Sequence, residues 1–476
     1  MRKLLWLLAL IFVLPVYAQD DVVTITIINT SDEHGWMQSF TPFGSDEVQG
    51  GAANIYSWWE LTENTLLLSG GDNWTGPAIS TWFEGEPMIE LFNAMGYDAS
   101  AIGNHEFDFG REVMEQRFSE AAYPYLAANI RYAETGELLA QPYVLLESGG
   151  VTVGVIGLTT LSTETTTHPR NISDLEFVDY VSALEEFVPQ MQAEGAQIII
   201  GLTHACSSEL SNAAQSGLVD VLFTGHCNEL INRTVNNVPI IGGGSSWHSY
   251  AQLTITYNTA TDEIEALEPE LVDVVYTGEN PVTPDETISE IVDRWQIAVD
   301  EQLSEEIGYT DVAIEQRSAA QANLITDAWL WAYPAADIAI TNTGGMRQTL
   351  DAGILTWGDI VGVLPFDNEL IAVELTGQQV IDNLRCCGGA IAGITYEGGS
   401  FVLNDGSALQ ADEIYTVLVN DFMYYGGDGY LFESQNPDGY NTNIHWRQPV
   451  IDYILSLETS EENPLSNHLD TTGRLQ

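Results

Sequence analysis

Five apolar runs in the first half of the chain each end on a short polar motif. Val22–Asn29 leads to Ser31-Asp32-Glu33-His34-Gly35, and Thr65–Ser69 leads to Gly70-Gly71-Asp72-Asn73. Asp98–Ile102 leads to Gly103-Asn104-His105-Glu106-Phe107-Asp108, Gln197–Thr203 to His204, and Val219–Thr224 to Gly225-His226-Cys227-Asn228. Continuous apolar runs of this length read as buried strands. Between them, Ile55–Glu63, Pro87–Met95, Arg111–Ala121 and Tyr180–Ala193 carry helical patterns, and Val151–Leu158 and Ala251–Tyr257 add further strands. Strands alternating with helices predict a layered α/β domain. In such a sheet, groups just beyond the carboxyl ends of the strands converge on one crevice.

The residue types at those strand ends are metal ligands. Asp32 and His34 are two apart, so in extended backbone they face the same way and can reach one ion. Asp72 offers a carboxylate able to bridge two ions. Asn104 and Asn228 offer neutral amide oxygens, and His204 and His226 two imidazoles. A mixed N and O set suits Zn, Mn or Co better than Ca. Two ions about 3.5–4 Å apart would activate a water and clamp phosphoryl oxygens. His105 and Asp108 lie beside Asn104 without being needed as ligands. An imidazole oriented by a carboxylate can protonate a leaving oxygen or stabilise charge on a transferring phosphate. His248, after Gly242-Gly243-Gly244, could line the same site, whereas His168, His445 and His468 read as surface or structural histidines.

Pro281 and Pro284 break the pattern. Thr287–Glu305 then places Ile288, Ile291, Trp295, Ile297, Val299 and Leu303 at helical spacing, as a connecting helix would. The remaining chain is long enough for its own core. It contains an apolar helix at Ala322–Trp331, strands at Phe401–Leu403 and Tyr415–Val419, and a sharp turn at Gly426-Gly427-Asp428-Gly429. Three of its segments carry polar and aromatic groups together: Asn342-Thr343-Gly344-Gly345-Met346-Arg347, Leu364-Pro365-Phe366-Asp367-Asn368 and Phe422 through Tyr430. Phe366 and Phe422 can sandwich a flat base or belong to the core; sequence leaves both readings open.

Charge narrows the partners. There are 69 acidic residues against 13 basic ones, and Lys3 is the only lysine. Charged residues make up just 17% of the chain, below the usual ~25%, so the imbalance reflects scarce cations. A surface so poor in Lys and Arg repels duplex nucleic acid. An anionic substrate would have to be held by metal ions and a few arginines. Arg2 and Lys3, the apolar Leu4–Leu14 and Val16-Tyr17-Ala18 read as a signal peptide over residues 1–18. No stable membrane anchor is expected, since about eleven apolar residues are too few to span a bilayer. A periplasmic or extracellular location follows. Export permits disulfides among Cys206, Cys227, Cys386 and Cys387. Cys206 and Cys227 flank His204 and His226 and could pair if both histidines hold one ion; a zinc-ligand role is the alternative.

With these motifs in order, Asp32-x-His34-Gly35, Gly71-Asp72-Asn73 and Gly103-Asn104-His105-Glu106-Phe107-Asp108, the chain resembles the exported 5′-nucleotidases of the calcineurin-like metallophosphoesterase superfamily. The resemblance covers nearly the whole chain beyond the leader. It implies a four-layer α/β/β/α metallophosphoesterase domain over residues 20–280, a linker helix over 285–306 and an α+β 5′-nucleotidase C-terminal domain over 308–476. It implies one ion on Asp32, His34, Asp72 and Asn228, a second on Asp72, Asn104, His204 and His226, and His105 with Asp108 as the catalytic dyad. It implies a base clamp at Phe366 and Phe422, with polar contacts from Arg317, Asn342, Arg347, Asn368 and Asp428. Arg317 sits six residues before Asn323 in Ala322-Asn323-Leu324-Ile325, as the family's pattern requires, and Ala322 stands where the family usually has Gly.

The activity implied is metal-dependent release of phosphate from nucleoside 5′-monophosphates, extending to nucleotide diphosphates or nucleotide sugars. A 2′,3′-cyclic nucleotide phosphodiesterase with 3′-nucleotidase activity, or a sulfur-ester hydrolase, would share the architecture, and the paired phenylalanines weigh against sulfur chemistry. A non-catalytic nucleotide-binding protein would not need His105, Asp108 and all seven ligand positions. Native metal, base preference and oligomeric state are open at this point.

Overall fold

The computed structural model describes residues 21–41, 47–276 and 282–475. The leader reading of residues 1–18 and the break at Pro281 lie outside them.

The first half is built on two six-stranded sheets. One has the order Glu263–Asp273, Ser249–Asn258, Val22–Thr30, Thr65–Ser69, Ala99–Ala101, Tyr125–Leu126. Its last four strands run parallel, in registers such as Ile27 opposite Leu66. The other has the order Leu230–Val235, Val238–Gly243, Val221–Thr224, Ile198–His204, Val151–Thr159, Tyr143–Ser148, with its middle strands parallel. Strand alternation sends Ile25, Ile27, Leu66 and Leu68 to one face, where they meet Val153, Val155, Ile200, Leu202 and Phe223 of the other sheet. That dry contact is the middle of the domain. Ile28 and Leu67 point the other way, against the helices Ala52–Trp58 and Glu86–Met95. Ile156, Ile199 and Leu222 meet Leu184, Phe187 and Met191 of the helix Tyr180–Ala193. The result is the α/β/β/α sandwich expected, because parallel sheets must be covered on both faces.

The helix Glu286–Leu303 starts on Asp285, whose side chain accepts from Ile288 N. Ile288, Val292, Val299 and Leu303 are buried in the same cluster as Ile55 and Phe92, so the helix packs on the first half. Trp295 Nε1 donates to Glu90 at 2.9 Å. Ile297, counted among its apolar positions from the sequence, is 60% exposed. The helix expected at 55–63 runs instead from Ala52 to Trp58, beginning after Gly51 at φ 88° and ending where Trp59 turns extended.

The second half carries a five-stranded sheet in the order Ala390–Ala392, Ile338–Thr341, Ile414–Asn420, Glu369–Thr376, Tyr440–His445. One face packs on the helices Ala319–Ala332 and Gln448–Ser456 through Trp329, Val450 and Ile454. The other packs on Gly377–Cys387 through Val380 and Leu384. This is the mixed α+β arrangement expected.

Candidate functional site

The five strand-end motifs meet at one end of the two sheets. His204 closes the strand Ile198–His204 and is fully buried. Its Nδ1 is 2.8 Å from Gly70 O, which fixes the ring, and Nε2 faces Asp72 Oδ2 at 3.0 Å and Asn104 Oδ1 at 3.2 Å. His34 Nε2 lies 3.9 Å from Asp72 Oδ2 and 4.0 Å from Asp32 Oδ1. Asp72, His204 and His226 can present ligand atoms within 4.8 Å of one another, and so can His34, Asp72 and His105. Asp72 therefore belongs to both groups, as a bridging carboxylate would.

Two observations fit divalent metal ions to these residues. Asp32 Oδ2 accepts from Ser31 Oγ at 2.6 Å and His226 N at 3.1 Å, but the buried Oδ1 has no hydrogen-bond partner. An unpaired buried carboxylate oxygen is costly unless a cation meets it. The donors are also the imidazole, carboxylate and amide set that Zn, Mn or Co favour.

Titration behaviour agrees. Burial works to raise the Asp72 pKa, yet His204 and His105 hold it well below the usual carboxylate range. Burial lowers His204, and the Asp72 charge outweighs it and raises the imidazole to about 10. A pocket that attracts a proton this strongly attracts a cation for the same Coulombic reason. His226 is pushed down to about 4 by burial and by His204, and His34 is lowered by burial and Arg347. Both remain neutral imidazoles with a lone pair to donate.

His105 stands in the short turn after Ala99–Ala101. Its Nδ1 is 2.7 Å from Asp108 Oδ2, and its backbone N donates to Asp72 Oδ1 at 2.8 Å. Burial lowers its pKa, but Asp108 and Asp72 more than compensate and raise it. The ring is thus oriented by one carboxylate and kept ready to carry a proton on Nε2.

Backbone strain concentrates here. Among the described residues fifteen non-glycine residues have left-handed φ, and seven are sequence-predicted site residues: Asp32, His34, Asp72, His226, Asn228, Arg317 and Asp428. Such conformations cost about 1–3 kcal/mol each and cluster where a site demands them.

Fourteen of the sixteen predicted site residues line one cavity of about 520 Å³ between the two halves of the chain. The other two, Asp32 and His204, lie buried beneath its floor. From the second half, Arg347 Nη2 reaches His34 at 3.1 Å. Phe366 lies parallel to His105, with centroids 5.7 Å apart and planes 21° apart. Its carbonyl is pinned by Trp446 Nε1 at 2.7 Å and Arg447 Nη2 at 2.9 Å. Phe422 lies across Gly427, where a Cβ would strike its ring. Asn342 Nδ2 donates to Asp428 Oδ2 at 2.8 Å, and Asn420 Nδ2 holds Asn342 Oδ1 at 2.9 Å. Asn368 Nδ2 donates to Asp421 Oδ1 at 2.7 Å.

Sequence reasoning missed several residues of this wall. His168, set aside as surface or structural, lines the cavity and faces Asp421 Oδ2 at 3.5 Å. Arg170 also lines it, with its guanidinium 3.9 Å over the Tyr425 ring. A histidine and an arginine two residues apart in His168-Pro169-Arg170 were the available signal in so acidic a chain. Glu106 was also passed over. Its carboxylate accepts from Asp72 N, Asn73 N and Gly103 N at 2.9, 2.7 and 2.6 Å, tying two of the motifs together. His248 does not line the cavity; it packs beside Gly50.

Cys206 and Cys227 form a disulfide with Cα atoms 5.2 Å apart, as their flanking positions suggested. This removes both from any ligand role. Cys386 and Cys387 form a second, vicinal disulfide.

Comparisons with known proteins agree with this architecture. The family profile of the calcineurin-like phosphoesterases matches residues 25–227, and that of the 5′-nucleotidase C-terminal domain matches residues 302–434. The chain is 27% identical over 459 residues to the endonuclease YhcR of Bacillus subtilis, covering 85% of this chain but 37% of that protein. It is 28% identical over 515 residues to a 5′-nucleotidase of Vibrio cholerae, covering 91% of each. The chain thus spans just over a third of the first relative's length and nearly all of the second's. The crystal structure of a 5′-nucleotidase precursor from Thermus thermophilus superimposes with a TM-score of 0.83 at 23% identity, covering 95% of this chain and 99% of that one. That likeness shows a shared fold.

Proposed function

Because this chain belongs to the calcineurin-like phosphoesterases that carry a 5′-nucleotidase C-terminal domain, we propose that it hydrolyses nucleoside 5′-monophosphates to nucleoside and phosphate. The observation that carries this is the single cavity whose floor is the His/Asp cluster and whose far wall holds Phe366, Phe422, Asn342 and Asp428. Nucleotide diphosphates or nucleotide sugars fit the same chemistry.

Asp32, His34, Asp72 and Asn228 would hold one divalent ion, and Asp72, Asn104, His204 and His226 a second, with Zn, Mn or Co favoured by the donors. When bound, the ions would supply Lewis acidity toward the phosphoryl group and a water of lowered pKa. The remaining work falls to side chains. His105, aligned by Asp108, gives its Nε2 proton to the leaving 5′ oxygen. Arg347 and Arg317 meet the phosphate as it passes between the two halves. The aromatic wall stacks the base, and Asp428 accepts from the ribose hydroxyls with the oxygen that Asn342 leaves free.

The distribution of cations supports an anionic substrate. Among the described residues five arginines, Arg170, Arg233, Arg317, Arg347 and Arg385, have no carboxylate at ion-pair distance. Three of the five, Arg170, Arg317 and Arg347, line the cavity. In a chain with 69 acidic residues, leaving three cations unpaired in one place keeps them for a ligand.

We assign the catalytic domain to residues 20–280, the linker helix to 285–306 and the substrate domain to 308–476. Residues 1–18 serve as an export signal to the periplasm or the medium. No helix of the described residues is long and apolar enough to cross a membrane.

The test is phosphate release from a panel of 5′-, 3′- and 2′,3′-cyclic nucleotides, with chelator and with Zn, Mn or Co restored. Metal-dependent release from 5′-monophosphates is expected. Release only from cyclic or 3′ substrates would move the assignment to a phosphodiesterase of the same fold.

A further inference from the structure

His204 and His226 are held in very different ways. His204 ends a buried strand, is fully buried, and has its ring fixed by Gly70 O at 2.8 Å. His226 sits in the loop Gly225–Asn228, where His226 and Asn228 both have left-handed φ, 70° and 54°. Cys227 and Asn228 are exposed. The noncovalent ties of the loop and its exit are His226 N to Asp32 Oδ2 at 3.1 Å, His226 Nε2 to Ser162 Oγ at 3.0 Å, Cys227 N to Gly225 O at 2.8 Å within the loop, Gly244 N to Glu229 O at 3.1 Å, and the Glu229 carboxylate accepting from Ser207 N at 2.8 Å and Ser207 Oγ at 3.1 Å. A loop with two left-handed non-glycine residues relaxes toward ordinary backbone unless something holds it.

The Cys206–Cys227 disulfide holds it. Cys206 is two residues beyond His204, and Cys227 lies between His226 and Asn228. The bond therefore ties the exposed ligand loop to the buried ligand strand at the edge of the site. We propose that this disulfide positions the loop that supplies one ligand to each metal site, Asn228 to one ion and His226 to the other, and that it makes metal affinity, and with it phosphohydrolase activity, dependent on an oxidising environment. The proposal rests on the two-ion reading above.

The redox step is ordinary thiol–disulfide exchange. A thiolate of a dithiol reductant attacks one sulfur, the Cys206–Cys227 bond breaks, and a mixed disulfide forms. The second thiolate of the reductant displaces the protein sulfur. Two electrons enter the protein as two thiols, and the reductant leaves as its own disulfide. Exposed Cys227 gives the reductant access. The strands on either side are closed by their own packing: Thr203, Thr224 and Ala205 are at most 2% exposed. Loss of the bond frees the loop while the fold stands. His226 then samples positions away from Asp72 and His204, and Asn228 positions away from Asp32 and His34. Groups that orient metal ligands from behind typically affect affinity 10- to 100-fold. A chain still in a reducing compartment would thus bind both ions weakly, and oxidation would complete the two sites.

The experiment titrates Mn²⁺ into the metal-free full chain by equilibrium dialysis, comparing the parent with Cys206→Ser/Cys227→Ser. Two ions are expected in the parent. The variant should bind both roughly 10- to 100-fold more weakly, with the metal-free chain still melting cooperatively though at a lower temperature, and activity should return at high Mn²⁺. Rescue by metal separates positioning from general damage to the fold. If the variant does not fold, the same titration on Cys386→Ser/Cys387→Ser, before and after treatment with a small dithiol removed by gel filtration, reads the same contrast. Two ions bound equally well in both forms would overturn the disulfide proposal and leave the two-ion reading standing. Fewer than two ions in the oxidised parent would overturn both.

Discussion

The Arg347 guanidinium lies 3.1 Å from both ring nitrogens of His34, across the boundary between the two halves of the chain. Two groups of like tendency are held face to face, and burial together with Arg347 pushes the His34 pKa well down. An arrangement of this kind is favourable once an anion enters between the arginine and the His34 end of the metal cluster. Arg347→Ala is expected to lower kcat/KM for a nucleotide by about 10- to 150-fold, from ~1.5–3 kcal/mol for a charge-assisted hydrogen bond. Metal content should be unchanged. Steady-state kinetics with metal analysis checks this, and lost metal would make Arg347 a support of His34 instead.

Asp72→Asn tests the bridging carboxylate. Asp72 is placed within reach of His34 and of His204, so both ions should weaken together and activity should vanish. Calorimetric metal titration distinguishes this from the loss of one ion, which would assign Asp72 to a single site.

His105→Ala should leave both ions bound and slow turnover by roughly 10²–10⁴-fold, the usual effect of removing a proton-transfer group. The motive is the 2.7 Å contact from Nδ1 to Asp108 Oδ2, which orients the ring. Because His105 can also approach His34 and Asp72 within ligand distance, an ion lost in this variant would make it a ligand.

Much of this site was legible because strand ends are legible. The runs Thr65–Ser69 and Tyr180–Ala193 begin and end as the sequence suggested, since an apolar run bounded by glycine or a capping Asp has few other solutions. The strands Leu230–Val235, Val238–Gly243 and Glu263–Asp273 were passed over. Leu230–Val235 and Glu263–Asp273 are edge strands that alternate exposed with half-buried residues, so no apolar run marks them, and the Asn236-Asn237 turn joins the first two. His168 and Arg170 could not be placed, because their neighbours Asp421 and Tyr425 are more than 250 residues away. Glu106 looked like one more acid in an acidic chain; its role appears only when three backbone N–H groups converge on it.

The pair His168–Asp421 joins the two halves and gives a pH-dependent expectation. Burial would raise the Asp421 pKa, but the hydrogen bonds of His168 and Asn368 outweigh it and hold the carboxyl below its ordinary 3.8. A depressed carboxylate pKa contributes stability above the unfolded value, and that contribution is lost as pH falls through the folded value. Asp421→Asn should therefore cost about 1.5–3 kcal/mol near neutral pH, and the difference from the parent should shrink as pH falls below 3.8. Denaturant titrations of both proteins over that range check it. A difference constant with pH would mean that the carboxylate charge contributes nothing.

The two phenylalanines, paired in the sequence reading, separate in the structure. Phe366 lies parallel to His105 at 5.7 Å, whereas Phe422 packs across Gly427 beside the Asp428 turn. Both line the cavity, so both are expected to contribute to holding a base. Stacking contributes ~1–3 kcal/mol per base, so either Phe→Ala change should raise KM for a nucleotide about 5- to 150-fold. The two variants should differ on a small aryl phosphate, which has no base to stack. Phe422→Ala should leave that reaction near parental rates, because nothing at His105 or the His/Asp cluster has changed. Phe366→Ala should slow it as well, because the ring that covers one face of His105 is gone and water reaches the imidazole. Comparing kcat and KM for both substrates in both variants reads this directly. Equal losses on both substrates in Phe422→Ala would make that ring a structural support of the Gly427 turn, and the base would then rest on Phe366 alone.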